Sequence, residues 1–216
     1  MKKNPLSNLL ITLAATALLA SAAAEVPPAA ALAQLTAGNA RFVANASAHP
    51  HLSGARREET ATAQKPFAVI LGCADSRTGP ELVFDQGIGD LFVVRLAGNI
   101  ADEAALGSIE FAVAKLGARL IVVLGHEKCG AVAAALQGGE APGHIGALVA
   151  AIQPSVKTAS GEAADLLENA IRENVLAQVQ KLKTASPILQ PMLKDGSLQI
   201  VGARYDLKTG RVTFYQ

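Results

Sequence analysis

The chain contains no tryptophan, and aromatic residues make up only 4% of its 216 positions. Proteins that stack nucleobases or sugar rings need aromatic platforms, and few are supplied here. There is no basic run either: 19 Lys and Arg stand against 18 Asp and Glu, for a formal net charge of +1. Nothing electrostatic favours nucleic acid as a partner. Charged residues reach only 17% while half the chain is hydrophobic, which suits a packed globule and not a disordered segment. Cysteine is scarce, at two residues. No C-x-x-C pair exists, so the thioredoxin type of redox motif is absent.

The longest apolar run sits at the very start. Lys2 and Lys3 precede a mostly apolar stretch from Leu9 to Leu19, followed by small residues up to Ala24. A charged start, a short apolar centre and a small-x-small end (Ala22-Ala23-Ala24) form the pattern of a secretory signal peptide. The run is short for a membrane anchor, and no cysteine follows it to carry a lipid. The expectation is a signal peptide over residues 1–24, cleaved before Glu25, and a single exported domain over 25–216. No later stretch has spanning length, so the mature chain is expected off the membrane, most simply in a bacterial periplasm.

Beyond the leader, hydrophobic patterning alternates between two kinds. "PFAVILGC", "DLFVVRLAG" and "ARLIVVLGH" are short, continuous and partly β-branched, as expected of strands buried on both faces. Between and after them lie helical stretches. "PAAALAQLTAGNARFVAN" is one, although Gly38 weakens it. "ADEAALGSIEFAVAKLG" is another, capped by Asp102, with Leu106, Ile109, Phe111, Val113 and Leu116 as its apolar side. "CGAVAAALQ", "GALVAAIQPSV" and "DLLENAIRENVLAQVQKLKTAS" complete the set. The end, "LQIVGARYDLKTGRVTFYQ", reads as a hairpin turning at Lys208-Thr209-Gly210. The predicted fold is α/β: a mainly parallel central sheet flanked by helices, with an N-terminal helical arm and a C-terminal hairpin.

Chemistry gathers where two strands end. Cys73 follows "FAVILG", with Asp75 and Arg77 just after. His126 follows "LIVVLG", with Cys129 three residues on. In open α/β sheets ligands bind beyond the carboxyl ends of the strands. If these strands are neighbours, one rim collects Cys73, Asp75, His126 and Cys129. By type these are zinc donors. Cys129 would open a helix, where the backbone dipole favours an anionic sulfur. A second reading competes: two cysteines in an exported chain suit one disulfide. A disulfide gives no reason for Asp75, Arg77 and His126 to stand beside them, nor for Gly72 and Gly130 to flank them.

"CADSR", "FDQGIGDLFVVRLAGN" and "GHEKCGAV", in this order and spacing, resemble the β-class carbonic anhydrases, and the likeness extends from about Ala33 to "ARYDLKTGRVTFY". The resemblance implies one Zn²⁺ per subunit held by Cys73, His126 and Cys129, with Asp75 as an exchangeable fourth ligand. It implies an Asp75–Arg77 dyad that orients zinc-bound hydroxide toward carbon dioxide. Gln64 would hydrogen-bond substrate, and Phe92, Phe111 and Gly130 would line the pocket. The product is bicarbonate, and the assembly is a homodimer or larger, with the first helix contributing to it. Asp75 and hydroxide compete for one position on the metal, so a pH switch is expected, with the carboxylate bound at low pH. Hydrolysis of carbon disulfide or carbonyl sulfide on the same fold, and a non-catalytic exported zinc protein, are the alternatives. The sequence departs from the family after the dyad, where "SRTGPE" brings in Thr78 and Gly79 and adds a hydroxyl near the pocket. An inhibitory bicarbonate site built on tryptophan is not expected.

Overall fold

The structure, a computed structural model, describes residues 25–162 and 165–215. The expected signal peptide lies outside them. Five strands form one sheet in the order β2-β1-β3-β4-β5: β1 (Ala68–Gly72), β2 (Leu91–Arg95), β3 (Leu120–His126), β4 (Gln199–Tyr205) and β5 (Val212–Phe214). The first three pairings are parallel and β4–β5 is antiparallel. The mainly parallel sheet and the closing hairpin are therefore as the patterning predicts. The hairpin turn is set by Asp206, whose carboxylate accepts the N–H groups of Lys208 and Thr209, and by Gly210 at positive φ.

Burial follows position in the sheet. Every residue of β1 and β3, two of the three interior strands, is buried, because helices cover both of their faces. Each buried Val, Leu or Ile there contributes about 1.5–3 kcal/mol, which makes these strands rigid platforms for whatever follows them. The expectation of two-sided burial fails for β2. It is an edge strand, half-buried along Leu91–Val94 with Arg95 exposed. An apolar run reports hydrophobic surroundings on average and cannot tell a central strand from an edge.

The helices are α1 (Pro28–Val43), α2 (Gly54–Thr60), α3 (Pro80–Val83), α4 (Glu103–Leu116), α5 (Gly130–Gln137), α6 (Ile145–Thr158), α7 (Leu166–Ala185) and α8 (Leu189–Lys194). Among these described residues no helix is long and apolar enough to cross a membrane. As expected, Asp102 caps α4 by accepting the Ala105 N–H at 2.8 Å. Ile109 and Val113 are buried, but Phe111 is half exposed. A helix turns about 100° per residue, so Phe111 cannot share a face with both of those residues.

The first helix packs on its own chain through one face. Ala31 and Leu35 are buried in one cluster with Phe84, Leu120 and Val122. Asn39 donates to the carbonyls of Val83 and Gly210 and accepts from the Val212 N–H. Gly38 marks the closest approach: a Cβ there would lie 1.8 Å from the Phe84 carbonyl oxygen. The glycine costs helix propensity, and the close packing requires it. Gly38→Ala is expected to destabilise the protein by about 1–3 kcal/mol through overpacking. Thermal unfolding should show this as a Tm several degrees lower.

Candidate metal centre

β1 and β3 are neighbours and run parallel, with Gly72 opposite Leu124. Their carboxyl ends therefore open on the same rim, and the next residues meet there. One sulfur each from Cys73 and Cys129 and one ring nitrogen of His126 lie within 4.8 Å of one another, all on buried residues. His126 is the last residue of β3. Lys128 adopts a left-handed φ of 53°, which reverses the chain so that Cys129 faces back toward the imidazole. Cys129 is the N-cap of α5, the electropositive end of that helix.

The two cysteines are free, and their sulfurs lie 4.0 Å apart. A disulfide needs about 2.05 Å. Two thiolates at about 2.3 Å from one tetrahedral zinc stand about 3.8 Å apart. The disulfide reading is thereby excluded for this structure, and the spacing suits a shared ion. Ellman titration of the unreduced, denatured, metal-stripped protein is expected to find two thiols per chain; a disulfide would give none.

The imidazole carries a second indication. Nδ1 of His126 lies 2.9 Å from the Glu127 carbonyl oxygen, so Nδ1 must be the protonated nitrogen and the donor. That leaves a lone pair on Nε2, which is buried and has no hydrogen-bond partner. A buried polar atom is rarely left so. An electron-pair acceptor between this nitrogen and the two sulfurs would satisfy all three.

Charge at the cluster follows from proximity. The Cys129 thiol beside it, then His126 and nearby backbone groups, hold the Cys73 thiol well below its ordinary pKa against the opposition of burial. The resulting thiolate and burial hold Cys129 up, well above the ordinary thiol value. Burial disfavours a charged His126, but the Cys73 sulfur and the Glu127 carbonyl outweigh it and raise its pKa. One proton thus leaves the pair readily and the second does not. A dication among the three would displace that second proton as well.

Beside the cluster, Asp75 is engaged with Arg77. The guanidinium donates from Nε to Oδ1 at 2.9 Å and from its terminal nitrogen to Oδ2 at 2.7 Å, and the Arg77 N–H adds a third bond at 3.0 Å. This bidentate grip holds the Asp75 carboxyl well below the usual carboxylate range, against a smaller effect of burial. Oδ2 still lies 3.7 Å from His126 Nε2. The carboxylate therefore borders the cluster while bonded away from it. Two further residues fix its backbone. Arg95 donates to the carbonyls of Cys73 and Asp75 at 2.8 and 2.6 Å. The Thr78 hydroxyl donates to the Asp75 carbonyl at 3.0 Å. Thr78 is thus a buried turn residue, and its hydroxyl serves that turn.

Comparison with known proteins agrees with this geometry. The carbonic anhydrase family profile matches residues 68–212. A carbonic anhydrase 2 of Mycobacterium tuberculosis is 45% identical over 188 residues, covering 85% of this chain and 91% of that protein. The chain belongs to the β-carbonic anhydrase family. By class it is an enzyme, a carbonic anhydrase. Among solved β-carbonic anhydrases, CcaA aligns with a TM-score of 0.68 and 28% identity over 86% of this chain and 95% of its own. A tetrameric β-carbonic anhydrase of Sordaria macrospora aligns with a TM-score of 0.67 and 25% identity over 85% and 95%.

The other candidate residues of this β-carbonic anhydrase lie in different places. Gly130 is the exposed first residue of α5, directly after Cys129, with open space where a Cβ would be. Phe92 is half-buried on β2 and packs on the core cluster around Val69 and Ile121. Phe111 is half exposed on α4. Gln64 precedes β1, while Cys73 follows it. The intervening strand puts them about 16 Å or more apart, and Gln64 lines a cavity with Arg56, Lys65 and Phe67. Within one chain, Gln64 and the cluster are not brought together. Arg95 escaped the sequence reading because only the β1–β2 register, Gly72 opposite Arg95, aims it at the Cys73 turn.

Proposed function

We propose that this carbonic anhydrase hydrates carbon dioxide reversibly with one zinc ion held by Cys73, His126 and Cys129. The observation that carries the reading is the buried, unpartnered Nε2 of His126 beside two free thiols. When bound, zinc supplies the Lewis acidity that makes a strong oxygen nucleophile available near neutral pH. The remaining work falls to the chain. Arg77 holds Asp75 aside, so the carboxylate would not close the metal site to solvent. Asp75 stays ionised and accepts a hydrogen bond from the nucleophile, turning a lone pair toward carbon dioxide. Arg95 and Thr78 hold the Asp75 backbone in place meanwhile. Asp75 stays anionic as pH falls while hydroxide becomes scarcer, so at low pH the carboxylate would be the stronger competitor for a bound metal. Activity is therefore expected to rise with pH. A hydration rate that stays flat across acid and alkaline buffers would contradict this. The first test is metal analysis of the purified protein, with stopped-flow carbon dioxide hydration and carbon disulfide and carbonyl sulfide run in parallel. One zinc per chain and hydration of carbon dioxide are expected; a metal-free active enzyme would refute the reading.

We further propose a homodimer or larger assembly in which a second copy supplies Gln64. Three features support it: the place of Gln64 beyond the far end of β1, the half-buried apolar edge at β2, and the exposed Phe111. A solved relative is described as tetrameric. Complementation tests it. Gln64→Ala and Asp75→Ala chains, each inactive alone, are expected to regain activity when unfolded and refolded together. A mixed dimer would hold one site with both residues intact. If Gln64 acted within its own chain, no mixture would recover.

The leader pattern supports export with removal of residues 1–24 and a periplasmic location. Fractionation of the bacterium and N-terminal sequencing starting at Glu25 would bear this out; cytoplasmic full-length protein would not.

A further inference from the structure

The Cys73 sulfur accepts a hydrogen bond from the backbone N–H of Gly98 at 3.3 Å. Gly98 belongs to neither ligand loop. It sits in a single 3₁₀ turn, Ala97–Asn99, between β2 and α4, at a φ of 74°. A Cβ on it would lie 2.5 Å from Ile152 Cδ1, so the turn is pressed against α6. Its carbonyl faces the other way and accepts a 2.8 Å bond from the Asn174 side chain on α7.

Asn174 is fully buried. Its Oδ1 is approached at 3.4 Å by the Ser155 hydroxyl and by the Gln178 side-chain nitrogen. Gln178, also buried, accepts the Ala101 N–H at 2.9 Å. Two carboxamides one helical turn apart thus grip the segment at residues 98 and 101. Helix α7 comes this close because Gly125 and Gly202 leave a notch for Val175: a Cβ on either glycine would lie 2.5 or 2.9 Å from that side chain. Apolar residues would cover the interface without the desolvation cost of two amides. They would not serve the Gly98 carbonyl or the Ala101 N–H; the two amides satisfy both and in doing so fix the turn whose N–H meets the Cys73 sulfur.

We propose that Asn174, supported by Gln178, is a positioning residue for the metal centre. It holds the Gly98 turn so that its N–H stays on the Cys73 sulfur and thereby governs how firmly that sulfur binds metal. The proposal rests on the reading of Cys73, His126 and Cys129 as zinc ligands. Bonds of this kind to ligating atoms are worth about 10–100-fold in metal affinity.

The test compares zinc-loaded wild type with Asn174→Ala and Leu182→Ala. Leu182 is buried about two turns further along α7, in the core cluster with Leu198 and Ile200. Both variants are expected to lower Tm. Only Asn174→Ala should speed zinc release to a chelator, by about 10–100-fold, and displace the sulfur-to-metal charge-transfer band of the cobalt-substituted protein. Wild-type release and an unmoved band in Asn174→Ala would overturn the proposal, as would equal changes in Leu182→Ala. If Asn174→Ala fails to fold, the wild type decides. Loaded with ¹¹³Cd, it should show coupling between the metal and the Gly98 amide proton through the sulfur, and absence of that coupling would overturn the proposal. A wild type that takes up no zinc at all would instead overturn the metal reading beneath it.

Discussion

His126→Ala is expected to bring carbon dioxide hydration down to the uncatalysed rate and zinc content from one per chain to a small fraction of that. The imidazole is the single neutral donor of the three, and its Nε2 lone pair has no other use in the buried cluster. Without it, two sulfurs 4.0 Å apart would have to hold the ion with whatever solvent completes the shell. The substitution also leaves a cavity at the end of a fully buried strand, so Tm should fall by a few degrees as well. Zinc analysis by mass spectrometry and stopped-flow hydration of the same sample separate the two effects. A folded His126→Ala protein that retains zinc and activity would show that the cluster is not the metal site.

Asp75→Asn is expected to lose activity by about 10²–10⁴-fold, the range for a positioned proton acceptor, with zinc content unchanged. The asparagine oxygen can still accept a hydrogen bond, but its amide can present a donor where the nucleophile needs an acceptor, and its charge pair with Arg77 is gone. Arg77→Ala acts through the same carboxylate in another way. The guanidinium is what holds Asp75 in its present position, so its removal frees the carboxylate to take the fourth position on the metal. Both variants should keep zinc and lose turnover. Loss of zinc from Asp75→Asn would mean that Asp75 is a structural ligand, and full turnover in Arg77→Ala would mean that the dyad does not gate the site.

The parts of this protein legible in sequence are those where local chemistry and local geometry coincide. Cys73 and His126 follow strand-like runs that end in glycine, and strand ends are where a parallel sheet presents its ligands. Asp75 and Arg77 are two residues apart, and the turn that joins them is short enough for their contact to be read directly. Asp102 before an apolar helical pattern is equally local. What escaped the sequence depends on distant pairings. β2 could be judged an edge strand only from the order of the sheet. Arg95 reaches the Cys73 turn, and Asn174 the Gly98 turn, from elements far along the chain, and no spacing rule connects them to Cys73. Phe111 joins the apolar side of α4 by hydrophobicity, but its angular position leaves it half exposed. The role proposed for Gln64 rests on family likeness alone, since its own chain carries it to the other end of the sheet.

X-ray absorption at the zinc edge of the purified, zinc-loaded protein tests the central claim most directly. Two sulfur neighbours at about 2.3 Å and nitrogen or oxygen neighbours at about 2.0–2.1 Å are predicted, with both sulfurs lost together in the Cys73→Ser, Cys129→Ser double variant. A first shell without sulfur in the active wild-type enzyme would contradict the assignment of Cys73, His126 and Cys129 as the metal centre.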